Sequence, residues 1–144
     1  MNEPWITRLS PDATALTGLA RVSTDFLEFC EKPRHREKID SLAVTLGDGW
    51  PDALPPLFVA KYGDHYLVLD GCHRGTSAIL ARLTYLPVLW IDGDAYDAFV
   101  EATDAPRLDV EAIVISQIPK LAGLAWSTSI AHTVAGLWTP SAIS

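Results

Sequence analysis

A buried strand that turns abruptly into a helix is the feature that most constrains the fold of this chain. Residues 67–81 read LVLDGCHRGTSAILA, in which an apolar run stops at Asp70-Gly71 and a helical pattern begins. A strand, a glycine and a helix in this order leave backbone N–H groups at the first helical turn, which carries partial positive charge. The junction therefore predicts an α/β arrangement with a seat for a phosphate or carboxylate at the start of the helix.

Three chemically active side chains follow this glycine directly. His73 and Arg74 would add donors for an anion, because a guanidinium group binds phosphate oxygens in pairs. A thiolate at Cys72 would be stabilised by the helix end and by Arg74. Each also has an ordinary alternative, since an arginine in a first turn is usually solvated and Asp70 is a common N-cap residue.

A second polar pattern lies on the helix predicted for residues 36–46. Apolar residues recur there at helical spacing. Lys38, Ser41 and Thr45 fall within about 60° of arc beside that apolar face. An ammonium group and two hydroxyls in a line suit the phosphate tail of a nucleotide, and a solvated helix face is the alternative.

The other predicted elements complete an α/β arrangement. Strands are expected on both sides of a turn at Gly63-Asp64, with a helix over residues 72–84 and a third strand over 86–91. A short helix is expected over Ser23 to Phe29, and no N-terminal strand is evident.

The C-terminal part of the chain is expected to be helical. We predict a domain over residues 1–108 and a helical extension over 109–144. The apolar stretch 121–138 is short for a membrane span and is interrupted by hydroxyl side chains. A helix that packs on the domain or on a second copy, forming a homodimer, is the prediction instead.

Composition narrows the class of partner and the compartment. The formal net charge is −7 and no basic stripe is visible, which does not favour nucleic acid. Two cysteines are too few for a disulfide scaffold, and no secretory signal opens the chain. We therefore expect a cytoplasmic protein with reduced thiols.

The run from Lys38 to Asp92 resembles the ParB/sulfiredoxin superfamily. The shared order is a helix, a proline-initiated strand pair (PPLFVAKYGDHYLVLDG), a G-x-x-R helix start and an L-P-V strand. The resemblance implies an α+β fold with a small mixed sheet flanked by helices, and a bound nucleotide.

Gly71-Cys72-His73-Arg74 is similar to the sulfiredoxin signature G-C-H-R. The helix motif K-x-x-S-L-x-x-T, carried here by Lys38, Ser41 and Thr45, also resembles that branch. It implies ATP bound by these polar residues and by Gly71, His73 and Arg74. It also implies that Cys72 is catalytic in the reduction of a cysteine sulfinate.

The form L-D-G-x-H-R resembles instead the free-serine kinases of the same superfamily. In those enzymes the Asp of the motif and an upstream Glu assist attack of a small hydroxyl on the γ-phosphate. Asp70 matches the first role, and Glu31 is our candidate for the second, with Glu37 and Glu28 as alternatives. The Pro-His-Glu run typical of those kinases is absent.

We favour the kinase-like interpretation, because Asp70 has a role there as a base that sulfiredoxin chemistry does not need. The expected activity is ATP- and Mg²⁺-dependent phosphoryl transfer to a small hydroxyl-bearing molecule such as a free amino acid. The alternatives are sulfiredoxin-like reduction through Cys72 and a nucleotide-binding module without catalysis. The G-E-R-R motif of the CTP-binding ParB proteins is absent.

Overall fold

The computed structural model describes residues 16–29, 35–103, 107–116, 118, 121, 124–127 and 130–131. The elements in chain order are β1 (Thr17–Ser23), a 3-10 turn (Thr24–Phe26), β2 (Leu27–Phe29), α1 (Arg36–Leu46), β3 (Leu57–Tyr62), β4 (His65–Asp70), α2 (Cys72–Leu80), β5 (Tyr85–Asp92), α3 (Gly93–Thr103) and α4 (Arg107–Ser116).

The strands form one sheet in the order β1-β5-β3-β4-β2. β1 and β5 are antiparallel, as are β3 and β4, whereas β3 pairs parallel with β5 and β2 pairs parallel with β4. This arrangement confirms the predicted α+β class and the small mixed sheet flanked by helices.

Helices cover both faces of the sheet. Because side chains alternate along a strand, Phe58 belongs to one buried cluster and the next residue, Val59, to the other. Each cluster takes its helical residues from a different pair of helices, Leu46 and Ala78 from α1 and α2, and Phe99 and Ile115 from α3 and α4. The α1–α2 layer is the one that carries both motifs found in the sequence.

The central elements form where the sequence predicts them. The helix over 36–46 has the predicted bounds. The two-residue turn at Gly63-Asp64 joins β3 to β4, with Tyr62 opposite His65. The pairing of these strands shifts register near their far end, where the strand leads into α2.

The prediction of a helix over Ser23 to Phe29 is wrong. Ser23 instead accepts a hydrogen bond from the Asp25 N–H and starts a single 3-10 turn. Thr24 ties this turn to the carbonyl of Leu83 at 3.1 Å. The strands on either side pair with β5 and β4, so their hydrogen-bond partners lie far away in the chain. No local sequence pattern indicates such partners, so the N-terminal strand is not predicted from the sequence either.

The helix expected to reach residue 84 ends at Leu80. Arg82 adopts a left-handed conformation with φ of 62°, and its N–H donates to the Ile79 carbonyl. The Leu83 N–H donates to the Ala78 carbonyl. These two bonds form the usual C-terminal closing motif of a helix. The end of this helix is not evident from the sequence, because the motif has arginine at the position where glycine is usual.

The described residues after α4 share the core of the domain. Leu121 and Ile130 are buried in the same cluster as Phe58, and the Ala125 N–H donates to the Ala53 carbonyl at 3.2 Å. The division at residue 108 and a homodimer through these helices remain predictions. Within the described part of the chain, no helix is long and apolar enough to cross a membrane.

Candidate functional site

The site begins where β4 ends, at a turn that only glycine can make. Gly71 has φ of 107° and is the N-cap residue of α2. A Cβ atom built there would lie 2.6 Å from Leu57 Cδ2 and 2.9 Å from Arg74 Nη2. Both the left-handed backbone and the close neighbours therefore require glycine.

Within the described residues, the N-cap residues His35 of α1 and Gly71 of α2 make no side-chain capping hydrogen bond. The first intrahelical bonds run from the Ile39 N–H to the His35 carbonyl and from the Gly75 N–H to the Gly71 carbonyl. Donors of a first helical turn have no intrahelical acceptor, and they carry the positive end of the helix dipole. Two helix ends of this kind favour an anion.

These two helix ends lie side by side. The rings of His35 and His73 are 5.3 Å apart between centroids. Behind them, the buried hydroxyl of Ser77 lies 3.0 Å from the Ile39 carbonyl oxygen and 2.7 Å from that of His73. This hydroxyl joins the first turn of α2 to α1, so the positive ends of both helices act on the same region.

The predicted polar stripe occupies one face of α1. Lys38, Ser41 and Thr45 are exposed, and together with Glu37 and Leu42 they line an open pocket of about 520 Å³. The Thr45 hydroxyl donates to the Ser41 carbonyl at 3.5 Å. The stripe starts in the first turns of the helix and runs along it, away from the His35–His73 contact.

Arg74 lies beneath the turn, where its charge is partly desolvated. Its Nη2 donates to the Pro56 carbonyl at 3.1 Å. Burial lowers the pKa of Arg74, whereas the nearby carboxylates of Asp70 and Glu111 act to raise it. The predicted contact of Arg74 with a phosphate remains a prediction, and the contacts described here hold the guanidinium under the loop.

Two buried nitrogen atoms near the turn have no hydrogen-bond partner among the described residues. They are Nε2 of His73 and Nε of Arg74. A buried polar nitrogen without a partner is costly, so a group that accepts from it would be stabilising. Together with the two uncapped helix ends, these atoms fit an anionic ligand such as a phosphate.

Two of the three residues predicted to carry chemistry, Asp70 and Cys72, flank Gly71. Asp70 is the last residue of β4 and lies opposite Phe58, while the preceding pair joins Val59 to Val68. A register shift of this kind re-aims the side chains that follow it. Cys72 is the first residue of α2 and is half-buried.

The candidates for the upstream glutamate have different positions. Glu31 lies outside the described residues. Glu28, on β2, is 3.0 Å from Nδ1 of His65 in an exposed pair. Glu37 lines the pocket on α1. Of the described candidates, Glu37 is therefore the one beside the polar stripe.

Three residues of this region did not stand out in the sequence. Ser77 joins the two helices, and Glu111 is a buried carboxylate on α4 whose charge acts to raise the pKa of Arg74. Gly75 lets α2 pack on β2, because a Cβ atom there would lie 2.8 Å from the Phe29 ring. A charged residue inside the apolar run VEAIVIS was the one signal that could have pointed to Glu111.

The described elements define an α+β domain in which two helix N-termini meet at the end of a strand in a mixed sheet. The chain is similar to several solved structures. Sulfiredoxin from Arabidopsis thaliana is 15% identical over 53% of this chain and 86% of that chain, with a TM-score of 0.45.

Two further similar structures are nucleotide complexes. The truncated chromosome-partitioning protein ParB from Caulobacter crescentus, complexed with CTP-gamma-S, is 15% identical over 88% of this chain and 82% of that chain, with a TM-score of 0.45. A free serine kinase mutant in complex with AMP is 16% identical over 54% of this chain and 32% of that chain, with a TM-score of 0.43. No protein-family model matches the chain, and no curated protein does. These similarities concern the arrangement of the elements and not the activity.

Proposed function

We propose that this chain is an ATP-dependent phosphotransferase that holds the phosphates of ATP where the N-termini of α1 and α2 converge. The observation that carries the proposal is the contact between His35 and His73 at the ends of two helices without capping side chains. Aligned backbone dipoles at such ends bind phosphate groups. The motif residues at the turn and on α1 support the same ligand.

The side chains around this point have the chemistry that phosphoryl transfer requires. His73 would donate to the phosphates at the turn, and Lys38, Ser41 and Thr45 would bind along the phosphate tail. Arg74 would add positive charge from beneath the turn. Mg²⁺ bound with ATP would neutralise charge on the phosphates, and the protein's contribution is chiefly positioning and charge.

In the proposed reaction the carboxylate of Asp70 acts as the base. A small hydroxyl-bearing substrate, such as a free amino acid, would give its proton to this carboxylate as its oxygen bonds to the γ-phosphorus. The bond between that phosphorus and the β–γ bridging oxygen breaks, and ADP leaves. Glu31 is proposed as the second carboxylate, and Glu37 takes this role if Glu31 does not.

A second candidate function is supported by the position of Cys72. A cysteine at the first position of a helix has a stabilised thiolate, which suits a resolving nucleophile. In that case the phosphate acceptor would be a cysteine sulfinate on a partner protein, which becomes a sulfinyl phosphate. The Cys72 thiolate would then attack its sulfur, forming a thiosulfinate and releasing phosphate. A module that binds nucleotide without turnover is the non-catalytic alternative.

Phosphorus NMR of the protein with ATP, Mg²⁺ and a pool of amino acids and small alcohols distinguishes these functions. We expect ADP and a new phosphate-ester signal, both abolished by Asp70→Asn and largely retained by Cys72→Ala. The reverse pattern, dependent on a sulfinylated peroxiredoxin, would favour the second candidate. ATP binding without turnover would indicate a binding module, and a protein that binds no nucleotide would refute the proposal.

The role of the α1 face is tested by a matched pair of lysines. A hydrogen bond to a charged group contributes about 1.5–3 kcal/mol, so Lys38→Ala should weaken ATP binding roughly 10- to 100-fold by calorimetry. Lys61→Ala removes the same charge from β3, where the exposed Lys61 side chain lies over the ring of Trp90 on β5, and we expect little change. Equal effects of the two variants would mean that only net charge matters.

A further inference from the structure

A histidine that belongs to neither sequence motif lies at the candidate site. His35 is the N-cap residue of α1, and its exposed side chain makes no capping hydrogen bond. The backbone of His35 serves the helix instead, because its carbonyl accepts from the Ile39 N–H at 3.0 Å. The imidazole is therefore not used to close its own helix.

The His35 ring lies beside the first turn of α2. Its centroid is 5.3 Å from that of the His73 ring, and the two ring planes are tilted by 34°. Nε2 of His73 is buried there without a hydrogen-bond partner among the described residues. The two imidazoles therefore border the same proposed phosphate position, His35 from the solvent side and His73 from a half-buried one.

The two rings differ in how easily they can carry a positive charge. A charge costs less on a group exposed to water than on one withdrawn from it, and two like charges at this separation repel each other. One added proton is therefore more stable on His35 than on His73. A neutral His73 can still donate to a phosphate oxygen through Nε2.

The charges at the two helix ends are mostly positive. Arg36 pairs with Asp40 along α1 at 3.9 Å, and Arg74 donates to the Pro56 carbonyl beneath the turn. The other ionisable side chains of the two first helical turns and of the end of β4 are Glu37, Lys38, Cys72 and Asp70. Both helix N-termini add partial positive charge. A further cation is therefore disfavoured at this position until a polyphosphate compensates it.

We propose that His35 is a phosphate-binding residue that takes up a proton when ATP binds, so that the affinity for ATP rises as the pH falls. The inference rests on the proposed nucleotide site and assigns a regulation to it. Histidine changes its charge between about pH 5 and pH 8, and the phosphates bring negative charge beside the ring. The complex then holds more protons than the free protein, and linkage requires tighter binding at lower pH.

Calorimetry of ATP with Mg²⁺ across this pH range, in pairs of buffers with different ionisation enthalpies, counts the protons taken up. ATP itself titrates in the same range, so the wild type is compared with His35→Gln, which keeps a polar side chain but cannot gain the proton. We expect the affinity of the wild type to rise relative to this variant by up to about tenfold per pH unit, the limit for one proton.

His65→Gln is the matched control. His65 lies at the start of β4, at the opposite end of that strand from Asp70, and its Nδ1 is 3.0 Å from Glu28. This variant removes an exposed imidazole that does not border the proposed site, so it should keep the pH dependence of the wild type.

Nitrogen-15 NMR of the imidazole rings identifies which histidine gains the proton. When ATP and Mg²⁺ are added to the wild type near neutral pH, we expect the His35 signals to move to imidazolium positions. The His73 signals should stay those of a neutral ring. A His35 ring that stays neutral, or a proton found on His73 instead, would overturn the inference, and this measurement needs no variant to fold.

The inference and the proposed function fail in different ways. ATP binding with the same pH dependence in the wild type and in His35→Gln would overturn the role of His35 and leave the nucleotide site in place. A wild type that binds no ATP at any pH in this range would refute both.

Discussion

At the scale of single residues, the candidate site depends on the backbone of Gly71. Its left-handed conformation turns β4 into α2 within one residue, and its missing side chain makes room for Leu57 and Arg74. The sequence predicts the turn, since glycine between a strand and a helix is the usual solution. The contact of Leu57 with the turn could not be predicted, because Leu57 lies in a different strand. The contact of Arg74 could not be predicted either, because it requires that side chain to fold back toward Gly71.

Gly71→Ala is expected to reduce the free energy of unfolding by about 1–3 kcal/mol for the strained backbone, with an added cost from the two contacts. Gly49→Ala is the control, because Gly49 has φ of 108° and no atom lies within 4 Å of a built Cβ. Urea unfolding of both variants separates strain from crowding. Equal losses would show that the contacts at Gly71 contribute nothing.

At the scale of elements, the site depends on how α1 and α2 pack against each other. Ser77 is fully buried, and its hydroxyl lies between a carbonyl of each helix. The polar stripe on α1 and the bounds of that helix were predictable, because both follow from periodicity within one helix. The juxtaposition of the two N-termini was not, since it depends on which helices share a face of the sheet.

Ser77→Ala should cost about 1 kcal/mol of stability and weaken ATP binding, because α1 loses a polar link to α2. Ser116→Ala is the matched control, since the Ser116 hydroxyl donates at 2.7 Å to the Ile113 carbonyl of its own helix, α4. Unfolding and calorimetry should show a stability loss for both variants and an affinity loss for Ser77→Ala alone. An unchanged affinity in Ser77→Ala would mean that this link does not position the site.

At the scale of the whole molecule, one sheet carries two helical layers, and the described part of the C-terminal region belongs to one of them. Leu121 and Ile130 are buried with Phe58 and Leu89 of the central strands. Such burial ties these residues to the stability of the sheet. It is the physical basis for expecting one cooperative unfolding unit from β1 to Ile130.

Ile130→Ala should lower the free energy of unfolding by about 2–5 kcal/mol, as expected for truncation of a buried aliphatic side chain. Its side chain is 1% exposed, whereas that of the control, Leu80, is 54% exposed. We expect a single transition at lower denaturant for Ile130→Ala and little change for Leu80→Ala. A separate transition that affects only the C-terminal region would support an independent extension after residue 108.

Features that depend on residues close together in the chain could be predicted from the amino-acid sequence. The helix over 36–46, the hairpin at Gly63-Asp64 and the strand-to-helix turn at Asp70-Gly71 all follow from side-chain periodicity and turn chemistry. The same local patterns placed Lys38 and His73 among the candidate ligands, although their role in binding remains a prediction.

Which of these local features come together depends on contacts between segments that are distant in the chain. Strands β1 and β2 find their backbone partners in β5 and β4, and the end of α2 is closed by an arginine in an unusual conformation. Val110 and Ile115 of α4 are buried in the same cluster as Phe58 and Leu89 of the central strands. Contacts between distant segments depend on the burial of all layers at once, so no window of the sequence contains the information that specifies them.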